Sequence, residues 1–350
     1  MEITKIDPNF AAAAVEAPLS WTDAADFPVQ GQGWRSESAR WTRLPDRAEK
    51  LVREQVWSLS RHSTGLHVDF ETDSSSLAVR WTVGFEKLAR DHMPATGVSG
   101  LDLYEWVGDG WRWAALGRPT GQSGRSFETV LFEKRDRVKR RFRLYFPLYN
   151  ALDRLELGVP SGTEIRPLAG GERFVCVYGT SIVQGGCASR PGMAYTAILG
   201  RDLALPVVNL GFSGNAQAEK EVAELLSELQ PRCFVIDCLP NVLAHTSEEV
   251  LHTFLEVMAR NAAGIPLLFV DFPDLPKAFS SPDYAKRIAG IRRSARKALE
   301  AFHGGLPWHW LDGKRLAGED AEATVDGVHP TDLGFQRMAA EIGGALKKIL

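Results

Sequence analysis

Four short segments in the second half of this 350-residue chain carry groups that together could hydrolyse an ester. The first is Tyr178-Gly179-Thr180-Ser181-Ile182, directly after an apolar run over 174–177. The second is Asn209-Leu210-Gly211-Phe212-Ser213-Gly214-Asn215, after the apolar run 206–208. The third is Leu239-Pro240-Asn241, after 234–238, and the fourth is Asp326-Gly327-Val328-His329-Pro330. A neutral hydroxyl does not attack an ester carbonyl readily at pH 7, and a serine becomes competent when a histidine takes its proton. Ser181 is the candidate nucleophile and His329 the candidate base. Asp326, three residues earlier, is close enough to hold the imidazole tautomer and stabilise its charged form. The oxyanion of the tetrahedral intermediate needs donors. The candidates are the backbone N–H of Ser181, the backbone N–H of Gly214 and the side-chain amide of Asn241. Taken singly, each group has a plainer role. A serine after a strand caps a turn, an Asp-x-x-His is a surface loop, and an asparagine after proline forms a turn. Their order and their placement at strand ends favour the hydrolase. His303 and His309 are rival histidines, read as a helix-end residue and a strand residue.

These groups need a scaffold that brings four distant segments to one edge. After residue 172 the sequence alternates between apolar runs and helical stretches. Strands are expected at 174–177, 207–209, 234–237, 267–270 and 308–311. Helices are expected at 193–203, 217–229, 247–261, 283–302 and 331–350. Thr246 and Glu249 have the spacing of a capping box. Such units form a doubly wound parallel sheet, whose carboxyl edge is where open α/β folds build sites. The first half reads differently. Short runs at 56–59, 66–70, 77–83, 101–107, 111–116, 127–132, 141–146 and 154–159 are strand-like, and Gly108-Asp109-Gly110 marks a hairpin. An all-β sandwich of jelly-roll type is expected over 1–165, a linker within 160–172, and an α/β domain over 172–350.

Ser181 is not in a Gly-x-Ser-x-Gly elbow, because Val183 stands where the second glycine would be. Instead Gly-Thr-Ser-Ile resembles the Gly-Asp-Ser-Leu block of the SGNH (GDSL-type) hydrolases. Ser181, Gly214, Asn241 and His329 match that family's four blocks in order. The run Gln184-Gly185-Gly186-Cys187-Ala188-Ser189-Arg190-Pro191-Gly192-Met193 and the upstream Gly100-Leu101-Asp102-Leu103-Tyr104 extend the match. They resemble the subgroup with an N-terminal Gly-x-Asp-Leu-Tyr β domain. Two positions depart from the superfamily pattern. Thr180 replaces the usual aspartate, and Leu-Pro-Asn-Val replaces Gly-x-Asn-Asp. The resemblance implies a flavodoxin-like five-stranded catalytic domain and a metal-independent esterase for short acyl groups. In this subgroup it implies acetyl groups on carbohydrate. The alternatives are a lipase or thioesterase for longer chains, and an inactive carbohydrate-binding protein. Met93 and Thr96, in the loop 93–97, are candidate substrate contacts from the β domain. Asp102 and Tyr104, two apart on one strand, would face one side and brace this loop or the other domain. Arg190 is either a polar substrate anchor or the structural partner of a carboxylate. The loop 271–282 is a candidate pocket wall.

Composition narrows the remaining classes. Hydrophobic residues make up 44% and charged residues 24%, which is the balance of a folded globular chain. The net charge of −3 gives no footprint for nucleic acid. The basic stretch 134–143 reads as the solvated face of a strand. No apolar run spans a membrane, the N-terminus lacks the order of a signal peptide, and 11–15 is too short to serve as one. The four cysteines, Cys176, Cys187, Cys233 and Cys238, fit no zinc spacing. They are expected as reduced thiols in a cytoplasmic protein. No metal or cofactor is expected. The expected partner is a small or oligosaccharide ester, with no nucleic acid and no membrane, and an oligomer is compatible with the sequence.

Overall fold

Alternation of apolar and polar residues gives half-buried strands, and Val79, Trp81 and Val83 are buried at every second position of one run. The computed structural model describes residues 18–119, 124–242, 247–273 and 275–350. Its first half holds β1 (Leu19–Asp23), β2 (Val29–Gln30), β3 (His67–Thr72), β4 (Leu77–Val83) and β5 (Leu101–Val107). Then come β6 (Gly110–Gly117), β7 (Ser126–Phe132), β8 (Arg140–Tyr145), β9 (Leu152–Pro160) and β10 (Ile165–Leu168). One antiparallel sheet has the order β1-β9-β4-β7. The other runs β10-β3-β8-β5-β6, with β2 paired to β3. A single apolar cluster joins them, with Trp81, Leu155 and Leu157 from the first sheet and Phe70, Leu103, Phe142 and Leu144 from the second. The basic residues of 134–143 are matched by acids: Arg143 with Asp69, Arg135 with Glu105 and Arg137 with Asp73.

Two expectations for this half are corrected. Residues 56–59 are not a strand but part of helix α1 (Glu54–Ser60). Val56 and Ser60, four apart, are its buried residues, and so short an apolar run does not separate the two periods. The stretch 160–172 is not a bare linker. It contains β10, where Ile165 pairs with Thr72. A one-turn helix, α2 (Ala95–Val98), also lies in this half.

The second half has β11 (Val175–Gly179), β12 (Val207–Gly211), β13 (Cys233–Asp237), β14 (Leu267–Val270) and β15 (Trp308–Leu311). All pair in parallel, in the order β12-β11-β13-β14-β15. This is the flavodoxin-like order, with its switch point between β11 and β13. The helices are α3 (Ser181–Gln184), α4 (Tyr195–Asp202), α5 (Lys220–Leu226), α6 (Ser247–Asn261), α7 (Pro276–Ser280), α8 (Pro282–Ala301) and α9 (Asp332–Ile349). One face of the sheet packs on α5, α6 and α8, and the other on α4 and α9. Thr246 of the expected capping box and the N-terminal stretch 11–15 lie outside the described residues.

Both faces also take residues from the first half of the chain. Trp34, Leu44, Ala48, Val52 and Val56 enter the cluster on the α6 face. Met93, Val98, Leu148 and Tyr149 enter the one on the α9 face.

Candidate active site

Ser181 opens α3 at the carboxyl end of β11. The Thr180 hydroxyl accepts a hydrogen bond from the Ile182 N–H at 3.2 Å. This is the N-cap role that an aspartate would also fill, so the departure at 180 keeps the local geometry. The end of β12 lies directly against α3: a Cβ on Gly211 would fall 2.2 Å from the Gln184 nitrogen. Only glycine permits that approach.

The wholly buried Gln184 ties the nucleophile helix to the next loop. Its Oε1 accepts from the Ser213 N–H at 3.0 Å, and its Nε2 lies 2.9 Å from His62 Nδ1. Gly214, in that loop, has φ +71° and faces open space where a Cβ would stand. Arg43 braces the same strand end from the first half of the chain. It donates to the carbonyls of Gly211 at 2.8 Å, Asn209 at 3.2 Å and His62 at 2.8 Å. Burial pushes its pKa down to about 9, so it stays cationic at pH 7.

Ser181 Oγ lies 2.9 Å from His329 Nε2. His329 Nδ1 lies 2.7 Å from Asp326 Oδ2. Asp326 Oδ1 accepts from the backbone N–H of His329 at 2.8 Å and of Val328 at 3.0 Å. Partial burial pushes the Asp326 pKa up, but these hydrogen bonds and the imidazole outweigh it and bring it down to about 2. Asp326 is therefore a carboxylate at any working pH.

Asn241 ends a single 3₁₀ turn after β13. Its Nδ2 is buried and has no hydrogen-bond partner among the described residues. Native structures leave few such groups, and each calls for an explanation. The Tyr149 hydroxyl donates to the Ser181 carbonyl at 3.1 Å.

A cleft of about 610 Å³ opens beside His329. Glu54, Gln55, Ser58 and Leu59 of α1 form one part of its wall. Their spacing is that of one helical face. Arg90, His92 and Met93 from the sandwich half, with Ser213 and Asn215 from the loop after β12, form others. The structure thus brings together Ser181, His329 and Asp326, and puts Met93 on the cleft.

Thr96 does not line the cleft; its hydroxyl donates to the Ser189 carbonyl at 2.6 Å. Arg190 does not line it either. It is ion-paired with Asp102 at 2.8 Å and donates to the Tyr104 hydroxyl at 2.6 Å. Burial pushes the Asp102 carboxyl up despite Arg190, and the Gly192 N–H and Trp113 also donate to it. Asp102 and Tyr104 of the Gly-x-Asp-Leu-Tyr strand therefore fix the segment after the nucleophile. The segment 271–282 supplies no lining residue of the cleft among those described. It reaches the histidine loop through a hydrogen bond from Lys277 N–H to the Gly327 carbonyl at 3.2 Å. Sequence reasoning misses the α1 face, because 56–59 alone reads as a strand. It also misses Arg90 and His92, for which no local pattern gives a signal.

Residues 172–347 match the GDSL-like lipase/acylhydrolase family. Residues 19–165 match the GxDLY family, the N-terminus of SGNH hydrolase-type esterases. A protein from Bacteroides ovatus ATCC 8483 described as a GDSL-like lipase is 29% identical, with a TM-score of 0.90 over 95% of this chain and 98% of its own. The salicylyl-acyltransferase SsfX3 of a tetracycline biosynthetic pathway is 18% identical, with a TM-score of 0.72 over 96% and 99% of the two chains. A family two carbohydrate esterase from Cellvibrio japonicus is 12% identical, with a TM-score of 0.58 over 95% and 98%. The last two show likeness of fold alone. Among curated proteins, none matches.

Proposed function

The chain belongs to the GDSL-like lipase/acylhydrolase family and is a carboxylic ester hydrolase, and from that premise we propose that it removes short acyl groups, O-acetyl above all, from carbohydrate. The hydrogen-bonded chain from Asp326 through His329 to Ser181 carries this reading. Ser181 Oγ attacks the acyl carbon while His329 Nε2 takes its proton. Asp326 holds Nδ1–H and stabilises the imidazolium. The carbonyl oxygen becomes an oxyanion, for which the Ser181 N–H, the Gly214 N–H and the Asn241 amide are the donors. Asn241 Nδ2, without a partner among the described residues, is a donor held in reserve for that charge. His329 then protonates the departing sugar oxygen. Water, activated by the same nitrogen, hydrolyses the acyl-enzyme. None of these steps calls on a metal.

The sugar assignment rests on the subgroup resemblance and on the cleft wall. Glu54, Gln55, Ser58 and Asn215 are hydrogen-bonding groups suited to hydroxyls. The volume is in the range of small-molecule sites. No helix among the described residues is long and apolar enough to cross a membrane. The four buried, unpaired cysteines suit a reducing compartment.

A panel of acetylated oligosaccharides scored by acetate release, beside p-nitrophenyl acetate and octanoate, tests the proposal. Ser181→Ala is expected to lose at least about a thousandfold in kcat. Preference for octanoate would favour the lipase reading. Sugar binding without turnover of any ester would favour a binding protein.

A further inference from the structure

We propose that His92, Cys187 and His329 form a binding site for Zn²⁺ or a similar borderline-soft cation, and that the bound ion switches the esterase off. The binding half of this proposal stands on the ligand geometry alone; the inhibition half rests on the catalytic reading above. The three residues come from three places in the chain. His92 stands in the tight turn where Arg90 and Met93 exchange two backbone hydrogen bonds of 3.0 Å. Cys187 follows α3, and His329 precedes α9. Their ligand atoms nonetheless all lie within 4.8 Å of one another. The His92 and His329 rings are 5.4 Å apart between centroids.

The donor set selects the ion. Two imidazole nitrogens and a sulfur suit zinc, whereas magnesium and calcium take oxygen. Ligand atoms around a tetrahedral zinc sit about 3.5 Å apart, given its bond lengths. The site therefore has to close by at most about 1.3 Å, and His92, exposed on its turn, can supply that movement. A fourth position would face the cleft and take water, the arrangement of an open zinc site.

The sulfur comes from Cys187, which is buried in the same cluster as Met93 of the cleft wall. The Cys187 thiol would bind as the thiolate, its proton passing to water as the zinc–sulfur bond forms.

His329 decides the consequence. Its Nδ1 is committed to Asp326 and its Nε2 to Ser181. An ion taking Nε2 would make a carboxylate–histidine–zinc series with Asp326 behind the ligand. It would also remove the lone pair that must accept the Ser181 proton.

Titration of the full chain with Co²⁺ tests the site without any substrate. A thiolate-to-cobalt charge-transfer band is expected, absent in Cys187→Ala. His92→Ala is expected to weaken binding about tenfold or more. In parallel, Zn²⁺ is expected to inhibit ester hydrolysis and EDTA to restore it, with weaker inhibition in both variants. A missing band, or one unchanged in Cys187→Ala, overturns the site. A band with the expected variant behaviour but no inhibition of an active enzyme overturns the switch. A band in a protein that hydrolyses no ester leaves the site standing and instead removes the catalytic reading.

Discussion

At the scale of single residues, two side chains are informative, the Asn241 amide and the buried Asp237 carboxyl. Asn241 keeps an amide nitrogen without an acceptor among the described residues, and an unmade hydrogen bond in the interior is costly. A donor maintained at that cost is best used when charge develops. Asn241→Ala is therefore expected to lower kcat by roughly 10²–10³ with little change in KM, measured by steady-state kinetics on p-nitrophenyl acetate. An unchanged kcat would mean that the Leu-Pro-Asn turn points the amide elsewhere. Asp237, at the end of β13, is wholly buried, and burial lifts its pKa to about 7 despite a hydrogen bond from Tyr195 at 2.8 Å. With the folded value above the unfolded one, the stability it contributes is full below pH 4 or thereabouts and is lost as pH rises through about 7. An asparagine in its place would accept the same Tyr195 hydrogen bond without a charge. Asp237→Asn is thus expected to raise Tm at pH 8 and not at pH 4, by thermal melts at both values. A shift of equal size at the two would refute the burial account.

At the scale of elements, the site depends on contacts between short pieces. The turn at 93–98 hydrogen-bonds to 148–149, through Leu148 N–H to the Gly97 carbonyl at 3.1 Å and Tyr149 N–H to the Val98 carbonyl at 3.2 Å. Tyr149 in turn holds the Ser181 carbonyl. On its other side the turn meets the stretch of chain after the nucleophile: a Cβ on Gly97 would fall 2.3 Å from the Ala188 carbonyl oxygen. Backbone on both sides cannot yield cheaply. Gly97→Ala is expected to displace the turn and cut kcat/KM by about tenfold to a hundredfold, the cost of an ångström-scale misplacement. Kinetics on a variant shown to be folded by circular dichroism would check this. Full activity would mean that the turn only connects strands.

For the whole molecule, the two halves share cores rather than merely touching. Trp34, Leu44, Val52 and Val56 are buried against the α/β sheet, and large apolar side chains contribute about 1.5–3 kcal/mol each when buried. Their sum rivals the whole stability of a domain, about 5–15 kcal/mol. A fragment covering 172–350 is therefore expected to aggregate or to unfold without a cooperative transition, read by calorimetry. A fragment that melts cooperatively near the temperature of the full chain would show that the first half is dispensable for folding.

The sequence by itself determined the α/β element order and the candidate site blocks, because both are written locally. Strand β14 and helix α6 have the expected bounds 267–270 and 247–261, since continuous apolar runs and a clear 3.6-residue period leave little choice. Ser181, His329 and Asp326 were legible because each sits in a short block of fixed order. What depends on distance was not legible. The α1 face became part of the cleft only when α1 packed on the α/β core and showed its helical period. Arg190 had two sequence readings, and only the burial of Asp102 beside it decided for the ion pair. His92, Cys187 and His329 show no ligand spacing along the chain, and only the packing of the sandwich half over the carboxyl edge of the sheet brings their donor atoms together.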